Sequence, residues 1–226
     1  MKEVKAEKRG TVDYVYMLQR VLTIFVAVAM FFPGMNPTKI CGLINENISL
    51  FTSALSYSSL TSNVGRGFRM GWVDESTFVI LYIGAIIAVI GIAFAIVGGC
   101  MSLGNLKMKK TGILWSILGG AVQIIGYIIC IVSYTIVSGT SKPNKVDPAF
   151  PTSAVVYIIL AAVILLASLA IMGMLPKPEA GAVMEMESKY KLFLMFLPFG
   201  ALAFVFCYLP LWGWRYAFFD YQSGGT

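Results

Sequence analysis

Hydrophobic and polar positions alternate along this chain in long blocks rather than residue by residue. Apolar runs cover residues 14–32, 78–100, 111–138, 153–175 and 192–214, and polar stretches separate them. Each run is close to or above the ~20 residues a helix needs to cross a hydrocarbon layer about 30 Å thick. The pattern predicts an all-α, polytopic membrane protein with five transmembrane helices. It divides the chain into a four-span module (1–175), a polar linker (176–191) and a last helix with its tail (192–226).

The second and third runs form a hairpin across one short basic loop, residues 101–110. Within it, Gly84, Ala88, Gly91, Ala95 and Gly98 recur at spacings of four and three. Gly112, Ser116, Gly119, Gln123, Gly126, Cys130 and Ser133 follow the same alternation. That spacing keeps the small residues on one helix face with the pitch of a coiled-coil seam. In lipid, close backbone approach over small residues drives helices together, helped by occasional hydrogen bonds. The two stripes are therefore expected to face each other, with Gln123 as the strongly polar group between them. Small residues are frequent in membrane helices generally, but a register kept over more than three turns argues for a seam.

Composition agrees with the block pattern: 58% of the residues are hydrophobic and 12% charged, with a mean hydropathy of +0.80. A soluble domain is about 25% charged. The net charge of +6 matters through its placement. With the N-terminus inside, the inner side holds Lys2, Lys5, Lys8, Arg9, Lys107, Lys109, Lys110, Lys177, Lys189 and Lys191. The outer side holds Lys39, Arg66, Arg69, Lys142, Lys145 and Arg215. That asymmetry predicts an N-in, C-out topology. No basic cluster is interleaved with exposed aromatics, so nucleic acid is not an expected partner. The basic start could open a secretory signal, with Ala27-Val28-Ala29 as its cleavage site. The uninterrupted apolar stretch before it, residues 21–26, is too short for that. Arg20, inside the first run, is expected to extend its stem to the headgroups.

The 35–76 loop is long enough to fold into a cap. Its glycines Gly65, Gly67 and Gly71 miss the dinucleotide-binding spacing. Asn47-Ile48-Ser49 fits a glycosylation sequon, relevant only in a eukaryotic secretory host. Asp74, Glu75 and Ser76 read as a helix start. The chain has no histidine, which removes the commonest general base and metal ligand. Cys100, Cys130 and Cys207 lie in apolar runs as small packing residues, and Cys41 is alone in a loop, so neither a disulfide framework nor zinc spacing arises. No run after the first contains an ionisable Asp, Glu, Lys, Arg or His, unlike the relays of ion-coupled carriers. There is no phosphate loop, and no triad can be built without histidine. Enzyme, cofactor and metal chemistry are therefore not expected.

The end of the chain is more specific. Leu197-Pro198, Tyr208, Pro210, Trp212, Gly213, Ala217, Phe218, Asp220 and Tyr221 stand in order behind a short basic tail. This stretch, about 188–225, resembles the first helix of permease subunits of binding-protein-dependent ABC importers, in the oligosaccharide and polysaccharide branch. The resemblance implies a bacterial plasma-membrane sugar permease working by alternating access. Its implied partners are a second permease subunit, cytoplasmic ATPase subunits and an external sugar-binding protein. In that family about five more helices and an ATPase-docking loop follow. The sequence is accordingly expected to be the N-terminal part of such a permease, or a truncated one, with the first four spans as an extension. Pro198, Tyr208, Pro210, Trp212, Gly213, Phe218 and Asp220 would then shape the helix rather than touch sugar. The rival expectation is a tetraspan structural or interaction protein without transport activity. Against it, the long loop has no paired cysteines to staple it.

Overall fold

The computed structural model describes residues 2–142, 144–176, 178, 183–186, 190–192, 195–196, 198–199 and 202–203. It divides into two units, residues 1–184 and 185–226. The chain is mostly helical, and among the described residues it has no strand beyond isolated bridges.

Among the described residues of the first unit, four helices are long and apolar enough to cross a membrane. They are α1 (Lys2–Ala29), α5 (Glu75–Met101), α6 (Leu106–Thr140) and α7 (Thr152–Met174). They close into a ring in which α1 packs on α5 and α7, and α6 packs on α5 and α7. Three boundaries differ from the sequence expectation. Helix α1 begins at Lys2 rather than near Tyr14, because Lys, Glu and Ala are good helix formers. The apolar part of α1 that could span is Val12–Ala29. The hairpin loop is also shorter than 101–110. Asn105 caps α6, its side chain accepting from Met108 N at 3.1 Å, which satisfies an otherwise unpaired helix-start donor. Lys107, Lys109 and Lys110 therefore lie in the first turns of α6 rather than in a loop. At the other end of the hairpin, Asp74 caps α5. It accepts from Ser76 N at 3.3 Å and from the Ser76 hydroxyl at 2.7 Å.

The long loop is a folded cap. It contains a 3-10 turn (Pro33–Met35) and three short helices, α2 (Leu50–Leu55), α3 (Tyr57–Thr61) and α4 (Gly65–Arg69). Its serines start the helices: Ser49 caps α2 and Ser56 caps α3. The glycine–arginine run forms α4. A buried Asn36 joins the cap's parts by donating to Ile48 O at 3.0 Å and Ser53 Oγ at 3.1 Å, and by accepting from Thr38 N and Oγ1. Ile40, Ile44, Leu60 and Val64 pack with Phe78, Leu81 and Val137, so cap and bundle share one core. The α6–α7 loop completes the cap. Ala149 N donates to Ile40 O at 2.8 Å, Lys142 N donates to Trp72 O at 3.1 Å, and the Lys145 ammonium lies 5.8 Å from the Trp72 ring centre. Cys41 is a buried free cysteine here, and its main chain forms an isolated β-bridge with Pro148. Helix α2 sinks into the end of the bundle. Leu50 and Ala54 join Val26, Met30 and Tyr157, and Phe51 N donates to Met30 O at 3.1 Å.

In the second unit the described residues 190–192, 195–196, 198–199 and 202–203 are helical, and Pro198 is exposed. Tyr208, Pro210, Trp212, Gly213, Phe218 and Asp220 lie outside the described residues, as does most of the expected fifth span.

Candidate functional site

The feature with the most constrained geometry is the α5–α6 interface. A β-carbon on Gly91 would sit 2.5 Å from Gln123 N and 2.9 Å from Gly119 O. One on Gly119 would sit 2.5 Å from Ala95 N, and one on Gly126 would sit 2.6 Å from Ala88 N. Gly112 faces Gly98 O and the Met101 side chain, and Gly98 faces Gly112 O and the Ser116 hydroxyl. Gly84 meets Ile129 and Gly126 O. The structure thus brings Gly84, Gly91, Gly98, Gly112, Gly119, Gln123 and Gly126 to one contact surface, where main chain touches main chain. Gln123 Nε2 donates to Gly91 O at 3.3 Å, a long bond that adds a polar tie to a surface made by packing.

A second set of polar contacts fixes α1. Gln19 is buried and its Nε2 donates to Ser168 Oγ on α7 at 2.8 Å. Arg20 donates through Nε to Ser102 Oγ at 2.8 Å and through Nη2 to Ser102 O at 3.0 Å. This differs from a stem reaching only for headgroups. The guanidinium sits on the C-cap of α5, where unpaired carbonyls and the negative end of the helix dipole favour a cation. Arg20 also lies 5.4 Å from the centre of the Tyr16 ring.

Sequence reasoning passed over Gln19, Ser102 and Ser168, and also the pair Tyr127–Tyr157. Those two rings stack at 5.0 Å with 11° between their planes, and both side chains are fully buried. No local signal marks such pairs. A periodicity of polar residues within the apolar runs would have placed Gln19 and Tyr16 on one face, without naming what that face meets.

Nothing in these contacts amounts to a reacting constellation. Among the described residues no group of His, Cys, Asp or Glu could hold a metal ion. An open pocket of about 420 Å³ at the cap is lined by Phe68, Trp72, Asp74, Glu75 and Thr140, among others. Its Asp74 carboxylate is engaged by Ser76, whose hydroxyl and then backbone N–H hold it below the usual carboxylate range. Burial pushes the Cys41 thiol up, away from a nucleophilic thiolate. The arrangement can pack, anchor and cap.

No family model, curated protein or solved structure matches the chain.

Proposed function

We propose that the chain is a permease subunit of an ABC-type sugar importer, whose first four spans are a fixed membrane scaffold ahead of the permease segment. The observation that carries this reading is the ordered set Leu197-Pro198, Tyr208, Pro210, Trp212, Gly213, Ala217, Phe218, Asp220 and Tyr221, which resembles the first permease helix. The reading includes a fifth span over 192–214, an N-in, C-out topology and a bacterial plasma membrane. Translocation would be driven by separate ATPase subunits and fed by an external sugar-binding protein. The scaffold role for the four-helix module rests on its glycine-tight seam. Arg20, in the middle of the first span, is committed to Ser102.

A second reading is a tetraspan structural or interaction protein. It is favoured by the cap, which the two loops build jointly around a shared core. Purification of the tagged chain from its native membranes separates the two. Recovery of an ATPase subunit and a second permease subunit is the expected result. Recovery of homo-oligomers joined through the cap, with no nucleotide-binding partner, would replace the permease reading with the tetraspan one.

A further inference from the structure

The open pocket at the cap has a preorganised aromatic wall. Its volume, about 420 Å³, lies within the roughly 300–1,000 Å³ of small-molecule sites. The wall follows from the way α4 ends. Gly71 stands at φ +63°, a left-handed conformation that glycine adopts without steric cost. Gly71 N donates to Phe68 O at 3.0 Å, and Trp72 N donates to Gly67 O at 2.8 Å. These are the two bonds of a Schellman cap. They turn the chain back on α4, so that both Phe68 and Trp72 line the pocket. The turn is held from two more sides. Phe68 packs edge-on against Phe78 at 5.2 Å, and Trp72 O accepts from Lys142 N at 3.1 Å.

The polar part of the lining is Asp74 and Glu75 from the start of α5 and Thr140 from the end of α6. A carboxylate offers about four acceptor positions. Asp74 uses its two oxygens on the Ser76 N–H and hydroxyl and keeps further lone pairs, and Glu75 is exposed. The Thr140 hydroxyl donates to Ile136 O and remains an acceptor. The pocket therefore sets an aromatic surface beside a row of acceptors. Its complement is a molecule with apolar C–H faces and several hydroxyl donors. A net charge on that molecule is disfavoured, because the α6–α7 loop brings Lys142 and Lys145 to this corner against the two carboxylates. The Lys145 ammonium lies 5.8 Å from the Trp72 ring centre. We propose that this pocket binds a neutral mono- or disaccharide, with a C–H face on Trp72 and hydroxyls donating to Glu75 and Asp74. The proposal deepens the importer reading and rests on it for direction, since an N-in topology puts the cap on the side where an external sugar arrives.

The test uses the full chain in lipid nanodiscs and saturation-transfer NMR. The probes are the neutral disaccharides maltose, cellobiose, lactose and xylobiose, with choline and digalacturonate as charged comparisons. At least one neutral disaccharide should receive saturation on its ring C–H protons above the level of empty nanodiscs. Its apparent Kd should rise about tenfold in Glu75→Gln, at an exposed position outside the core. It should rise at least as much in Trp72→Leu, and by less than about threefold in Trp72→Phe, which keeps an aromatic face. The proposal is overturned by transfer to none of the neutral probes, by an unchanged Kd in Glu75→Gln or Trp72→Leu, by equal losses in Trp72→Leu and Trp72→Phe, or by tighter binding of a charged comparison. Recovery of an ATPase subunit from native membranes is scored separately. An ATPase without sugar binding removes the cap site alone. Sugar binding without an ATPase removes the importer reading and leaves the pocket as a sugar site.

Discussion

Helix α6 and helix α1 both pack on α5, by opposite means. At the α5–α6 surface the side chains have been reduced almost to nothing, and the two main chains touch through Gly91, Gly98, Gly112, Gly119 and Gly126. Specificity there comes from shape, because any larger residue holds the helices apart. Helix α1 meets α5 and α7 through full-sized side chains, and its position is set by a few directed bonds, Gln19 to Ser168 and Arg20 to Ser102. The small-residue stripe contributes many weak contacts that act together. The α1 contacts contribute few strong ones, each removable alone. The seam is thus suited to a fixed hairpin, and the α1 attachment to a helix that can be released without dismantling the rest.

The largest expected effect is at the seam. Gly91→Leu places carbon atoms where Gln123 N and Gly119 O already lie and should destabilise the protein by about 3 kcal/mol or more. Gly173, which has nothing within 4 Å, is the control. Gly173→Ala should gain about 0.5–1 kcal/mol from helix propensity. Unfolding by denaturant in mixed micelles measures both, and equal stability of the two variants would remove the shape argument.

A smaller and more local loss is expected at α1. Arg20→Leu removes both bonds to Ser102 and should cost about 1–2 kcal/mol, because hydrogen bonds to a charged group are strong and partial exposure discounts them. Arg20→Lys should recover less than half of this, since an ammonium lacks the planar fork. Amide hydrogen exchange is the discriminating readout. Protection should fall along α1 and stay unchanged along α5 and α6. Uniform loss across all helices would mean that α1 is not separable from the seam.

The smallest effect concerns the start of α5. Asp74 is ionised more readily in the folded protein than in the unfolded chain, through the Ser76 hydroxyl and N–H. A depressed folded value stabilises the fold fully above the unfolded value, and this contribution fades as pH falls through the folded one. Asp74→Asn should therefore lower Tm slightly at pH 7 and have no effect near pH 2. A Tm difference that grows on acidification would reverse the assignment.

Much of the architecture is written in local patterns. Block length by itself marked the four helices of the first unit that are long enough to cross a membrane, because a main chain in hydrocarbon must satisfy its own hydrogen bonds. The four-and-three spacing of small residues marked one face of α5 and one face of α6. The Asp74-Glu75-Ser76 cluster marked a helix start. These signals repeat within a few residues, so they survive without any knowledge of what lies opposite. Only the tertiary structure decided that the long loop and the α6–α7 loop form one cap, that α1 fits between α5 and α7, and that Arg20 lands on Ser102, 82 positions away. It also decided that Tyr127 and Tyr157 stack, and that Gln123 donates to Gly91 O. Such contacts depend on the register between segments remote in sequence. A single Ser, Gln or Tyr in an apolar run looks the same whichever partner the packing brings to it.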